Sequence, residues 1–185
     1  VAKRIREIIA DSTIQQSNMD YKEVQDPYSF RCAPQVHGAV YEALLGMQST
    51  IYIELNSTTD NPLVFADAPK LSDRIVSQGN FHGEILALCA DRMSLALFEL
   101  GSISERRMDQ LLDSSKSGLT PFLAADSGLE SGLMIVQYSA GAALAELHGH
   151  AAPRTAFSTS TSAGQEDHVS MGATACWNLY QACTR

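Results

Sequence analysis

From Asn80 to Asp113 the chain sets Ile85, Leu88, Arg92 and Leu95, then Leu100, Ile103, Leu111 and Leu112, at helical rather than alternating intervals. No longer pattern occurs in the sequence, and it commits the fold to a long helix whose weak point is Gly101. The rest of the chain repeats that period in shorter stretches. Ile5, Ile8 and Ile9 predict a helix from the start to about Asp11, followed by a polar connection from Ser12 to Asp26. Pro27 suits the first turn of a short helix because its missing N–H is unpaired there anyway, and Pro34 limits that turn. A second long helix is predicted from Gln35 to about Glu54. "IYIEL" at its end reads equally well as a strand.

"NSTTDNPLVF", Asn56 to Phe65, is turn chemistry, and Ser114 to Ser131 is a Gly/Ser/Pro-containing loop. A helix is expected from Gly132 to His150. A loop from Ala152 to Gly164 then feeds a last helix from Gln165 to about Thr184. The expected class is all-α, one helical region over residues 1–185. Because the chain opens on Val1 and stops at Arg185 without a Gly or Pro stop signal, a piece of a longer protein is expected.

Composition narrows the partners. Hydrophobic residues make up 45% and charged ones 18%, a charge density low enough to expect surface buried against other chains. The formal charge of −8, with no basic run, argues against nucleic acid and anionic membrane. The most apolar stretch, "GLMIVQYSAGAALAEL", is too short to span a bilayer and contains Gln137. Cys32, Cys89, Cys176 and Cys183 form no CxxC pair. On one helix Cys176 and Cys183 would lie roughly 10 Å apart, beyond disulfide reach, so reduced thiols and a cytoplasmic location are expected.

Three stretches carry candidate chemistry. In "TSAGQEDHVSMG", Ser162 and Gln165 fit the S-x-x-Q capping box, and Glu166 and Asp167 then fall in a first turn where the macrodipole favours negative charge. Successive helical residues diverge, so Glu166, Asp167 and His168 would not converge on one ion. His148 and His150 diverge likewise, no metal-binding spacing occurs, and no metal is expected. In "QDPYSFRC", Tyr28 and Arg31 share one face of a turn. A guanidinium can grip a carboxylate in a forked pair and a phenol can relay a proton. The same spacing also describes an amphipathic turn with a surface arginine. In "QGNFHGE", two glycines flank Asn80, Phe81 and His82 where the long helix is expected to begin, with Asn80 as its cap. His37 and His82, each alone, read as hydrogen-bonded structural histidines.

Taken in order, "VQDPYSFRCAPQVHGA", "STTDNPLVF", "GNFHGE", "ISERR", "TPFLAADSGLESGLMIVQYSA" and "TSAGQEDHVSMG" resemble the histidine ammonia-lyases, within the aromatic amino-acid ammonia-lyases and aminomutases. The likeness covers nearly the whole chain, and Glu166 stands where the phenylalanine and tyrosine enzymes carry amide-rich sequence.

The resemblance implies elimination of ammonia from an L-amino acid, histidine to trans-urocanate in the first instance. It also implies a protein-derived electrophile, methylidene-imidazolone, made from an internal Ala-Ser-Gly. Arg31 would hold the substrate carboxylate and Gln25 would hydrogen-bond nearby. Tyr28 would sit beside the electrophile and the amine, Phe81 would line the pocket, and Glu166 would engage the imidazole or amine. The family implies a homotetramer whose sites combine residues from three subunits. Phenylalanine or tyrosine lyases, aminomutases and a non-catalytic helical oligomerisation module are the alternatives.

Three positions depart from the histidine branch. Gly164 stands for the usual Asn, Gln78 for Gly and Ala152 for His. Ala-Ser-Gly does not occur in the 185 residues. The family's triad lies upstream of the matching region, with a lid tyrosine usually assigned as the base, so these residues alone are expected to be inactive.

Overall fold

The computed structural model describes residues 1–17 and 24–185, so part of the polar connection expected from Ser12 to Asp26 lies outside the described residues. The described chain is helical: α1 (Ala2–Ile9), α2 (Thr13–Ser17), α3 (Tyr28–Arg31), α4 (Ala33–Leu55), α5 (Glu84–Leu112), α6 (Ser114–Ser117), α7 (Met134–Ala151) and α8 (Gly172–Cys183). Between α4 and α5 a small antiparallel hairpin joins β1 (Leu63–Val64) to β2 (Ile75–Val76), with Leu63 opposite Val76. Short 3₁₀ turns fill the connections at Asn80–His82, Pro121–Leu123, Thr155–Phe157 and Ser162–Gly164.

Local chemistry sets most boundaries. Pro27 is extended at ψ 149°, and α3 begins on the next residue. Cys32, at ψ 7°, separates α3 from α4, and Pro34 falls inside the first turn of α4, where no N–H is required. "IYIEL" is the last turn of α4, not a strand. Helix α5 starts at Glu84 rather than Asn80. The reason is Gly83, whose φ of +74° is left-handed and closes a 3₁₀ turn ahead of it. Asn80 therefore does not cap the long helix. The expected loop from Ser114 holds α6, capped by an Asp113 carboxylate oxygen that accepts from the Ser115 N–H at 2.9 Å.

The last helix differs most from expectation. It begins at Gly172, after the left-handed Met171 (φ 57°), and not at Gln165, where Ser162 (φ 50°), Ala163 (φ 56°) and Gly164 (φ 85°) just before it are all left-handed. The Ser162–Gln165 capping box does not form.

Two compact units organise these elements. The first takes Val1–Glu42, Ala96–Gly149 and Arg185; the second takes Ala43–Leu95 and His150–Thr184. In the first unit, Ile103, Leu112, Ala124 and Leu147 are buried. Gly101 does not break α5. A Cβ there would sit 2.9 Å from Leu147 Cδ1, so the missing side chain lets α5 and α7 approach closely. In the second unit Ala87 and Ala90 of α5 meet Ala175 of α8, with Leu179 packed against them. Asp91, also buried, accepts the N–H groups of Arg154 and Thr155 at 2.9 Å each and the Thr155 hydroxyl at 2.8 Å. That carboxylate thereby fixes the start of the loop leading to Glu166.

Candidate active site

Helix α3 is a single turn, too short to stand by propensity alone, so its stability comes from contacts. Arg107 of α5 supplies them: its guanidinium donates to the Ser29 carbonyl at 3.3 Å and lies 3.0 Å from His37 Nε2. Burial, then the adjacent Arg107 charge, lowers the pKa of His37, so the ring is held neutral as an acceptor. The Tyr28 side is exposed, and the Arg31 guanidinium lies 5.4 Å from the Tyr28 ring centroid. Arg31 also donates to Gln25 Oε1. Gln25, Tyr28 and Arg31 are thus brought together in the first unit.

A cavity of about 710 Å³ opens beside them, with Gln25, Tyr28, Phe30, Gln110 and Lys116 in its lining. Lys116 is a polar group that sequence reasoning passed over. Its ammonium lies 3.1 Å from Asp109 and 3.5 Å from Asp113, and the hydrogen bond to Asp109 is the main influence raising its pKa. The only sequence signal was the i,i+3 spacing of Asp113 and Lys116.

Phe81 and Glu166 lie in the second unit. The 3₁₀ turn Asn80–His82 projects Phe81 into the lining of a cavity of about 350 Å³ shared with Ile51, Leu55 and Leu86. Gln78 ties this turn to the segment that enters the hairpin: its N–H donates to Asn61 Oδ1 at 3.0 Å and its side-chain oxygen accepts the Asn80 N–H. His82 Nε2 stands 3.1 Å from the His168 carbonyl and 3.4 Å from His168 Nδ1. His82 therefore joins the turn bearing Phe81 to the segment bearing Glu166.

Glu166 is not in a helix. Its backbone pairs with Thr161 across an antiparallel bridge, with Thr161 N–H to Glu166 O at 2.9 Å. Its Oε2 accepts the Thr161 hydroxyl at 2.6 Å and the Ser162 hydroxyl at 2.8 Å. These two hydrogen bonds, Thr161 first, lower its pKa and keep the carboxylate charged. The helical argument about Glu166, Asp167 and His168 loses its premise. His168 instead groups with His82 and Glu84, whose donor atoms all lie within 4.8 Å of one another. Glu84 Oε2 is buried 3.7 Å from His82 Nδ1, with no hydrogen-bond partner among the described residues.

The sequence profile described as aromatic amino acid lyase matches residues 1–185. The chain belongs to the aromatic amino acid lyase family. Similar members of the family include the histidine ammonia-lyase of Stigmatella aurantiaca, 49% identical over 174 residues, covering 94% of this chain and 33% of that protein. The histidine ammonia-lyase of Bacillus subtilis is 44% identical over 181 residues, covering 98% and 35%. Among solved lyase-family structures, histidine ammonia-lyase from Trypanosoma cruzi aligns at TM-score 0.81 and 45% identity, over 86% of this chain and 31% of that one. Pantoea agglomerans phenylalanine aminomutase aligns at TM-score 0.86 and 32% identity, over 98% and 38%. The chain spans about a third of the length of the curated lyases it matches.

Within the lyase family the departure at residue 164 has a conformational reading. The backbone there is left-handed, the region that glycine and asparagine tolerate best, so glycine fits the turn.

Proposed function

We propose that these residues are one helical region of a longer ammonia-lyase that converts L-histidine to trans-urocanate and ammonia. The observation that carries the reading is the Glu166 carboxylate, exposed and charged, with Oε1 taking no hydrogen bond among the described residues. A carboxylate with an open oxygen suits a substrate side chain that carries an N–H. The curated relatives named as histidine ammonia-lyases, 44% and 49% identical, support that choice.

Arg31 holds the substrate carboxylate. One of its five N–H donors goes to Gln25, which orients the guanidinium and leaves others to form a forked pair. Tyr28 presents its phenol beside that guanidinium, in reach of the substrate amine. Gln25 and Tyr28, an amide and a phenol at a cavity edge, fit a small polar ring such as methylidene-imidazolone. That group supplies an electron-accepting centre which makes loss of the amine feasible. Phe81 lines the apolar cavity of the second unit, and Glu166 takes the substrate imidazole. In the proposed homotetramer each site combines residues from three subunits. The Ala-Ser-Gly precursor does not occur in the 185 residues, so they do not turn over histidine unaided.

The test is to follow urocanate by its ultraviolet absorbance. The full-length enzyme with Glu166→Gln should lose about a hundredfold in kcat/KM for histidine, the scale of a hydrogen bond to a charged group. Unchanged turnover would overturn the role of Glu166, and turnover by residues 1–185 alone would overturn their dependence on the rest of the chain. A second reading, a phenylalanine lyase or aminomutase, is favoured by the aminomutase likeness at TM-score 0.86. Incubation of the full-length enzyme with each amino acid separates the two.

A further inference from the structure

We infer that Thr161 and Ser162 are positioning residues for substrate selection, acting through Glu166. This rests on the reading that Glu166 meets the substrate side chain. Both hydroxyls donate to one oxygen, Oε2, at 2.6 and 2.8 Å, so rotation of the carboxylate is restrained and Oε1 is left as the accepting atom. A carboxylate held in this way offers one directional acceptor. An imidazole N–H or a phenol O–H can meet it, whereas a phenyl ring has nothing to donate.

The backbone is shaped to the same end. Thr161 is extended at φ −130°, but Ser162 and Ala163 are left-handed without being glycine, a conformation that persists only where neighbouring contacts enforce it. The turn folds Ser162 back so that its hydroxyl reaches Glu166 four residues on, while the Thr161–Glu166 bridge holds the two ends in register. Downstream, the segment is pinned again. Val169 N–H donates to Ser158 Oγ at 3.1 Å, and His82 Nε2 lies against the His168 carbonyl. All of this restraint converges on a carboxylate that is exposed and buries no core. The lowered pKa of Glu166, caused first by the Thr161 hydrogen bond and then by that of Ser162, agrees with the geometry.

The experiment is a double-mutant cycle on the full-length enzyme, with Thr161→Val and Ser162→Ala each made in the wild type and in Glu166→Gln. Each single change should lower kcat/KM for histidine about tenfold, a lost hydrogen bond to a charged group. The melting temperature should be unchanged, and neither change should cost anything further once Glu166 is Gln. Thr161→Ser should restore activity by returning the hydroxyl. Equal losses in both backgrounds would make the two residues merely structural and overturn the inference. So would an undiminished kcat/KM in Thr161→Val and Ser162→Ala alongside a collapsed Glu166→Gln, and that result would leave the Glu166 role standing. If Glu166→Gln itself keeps full histidine turnover, the underlying reading fails first, and the inference falls with it.

Discussion

At the scale of single residues, the site depends on groups whose protonation is set by a neighbour a few ångströms away. His37 shows the sign of such coupling. Its pKa is lowered from 6.5 by burial and by Arg107, so the folded ring is neutral while the unfolded ring takes a proton near pH 6.5. Its contribution to stability is complete above that value and is lost as the pH falls through the lower folded pKa. Urea unfolding of the full-length protein at pH 7.5 and 5.5 should show a drop in midpoint across that interval, and the drop should be smaller in His37→Gln. A drop of the same size in that variant would remove His37 as the cause. The proposed site residues were legible only by kind. Tyr28, Arg31 and Glu166 stood out in the sequence as a phenol, a guanidinium and a carboxylate. Of the two hydroxyls that hold Glu166, Thr161 was not singled out and Ser162 was read only as a helix cap, because a hydrogen bond across a turn leaves no periodic trace.

At the scale of elements, helices were legible and their junctions were not. The start of α3 just after Pro27 follows from proline chemistry, and α5 and α7 from the 3.6-residue period, all local effects; α4 instead starts at Ala33, ahead of Pro34 rather than at Gln35. The starts of α5 at Glu84 and of α8 at Gly172 follow left-handed residues, Gly83 and Met171, and the left-handed run Ser162–Gly164 precludes the expected start at Gln165. Gly83 and Gly164 permit that conformation without announcing it, and Ser162 and Ala163 give no sign of it. The loop between α7 and α8 is fixed by Asp91 of α5 rather than by its own sequence. Asp91→Ala would leave two N–H groups and a hydroxyl without their acceptor. It should lower stability by about 2–4 kcal/mol in urea unfolding, by the size of the penalty for unmet buried donors. A change under about 0.5 kcal/mol would show that water replaces the carboxylate.

For the whole molecule, the decisive quantity is how little of the apolar surface is buried within one chain. Helix α4 is rich in large hydrophobic residues, yet Ala43 is its one buried position, and Tyr52 stands 71% exposed. Apolar faces of this extent mark association surfaces, in keeping with the proposed homotetramer. Ile53→Lys in the full-length protein should therefore shift sedimentation toward smaller species and lower activity together. A full-sized, active assembly would place the interface elsewhere.

The sequence by itself determined the helical class and the order of the long elements, and it supplied the residue types of the proposed site, because periodicity, proline chemistry and ionisable groups are written locally. Only the tertiary structure decided that Glu166 follows a left-handed turn and has one oxygen held by two hydroxyls. It also decided that His82 meets His168. Both contacts depend on where the folded backbone brings side chains together, and for His82 and His168 those side chains are distant in sequence.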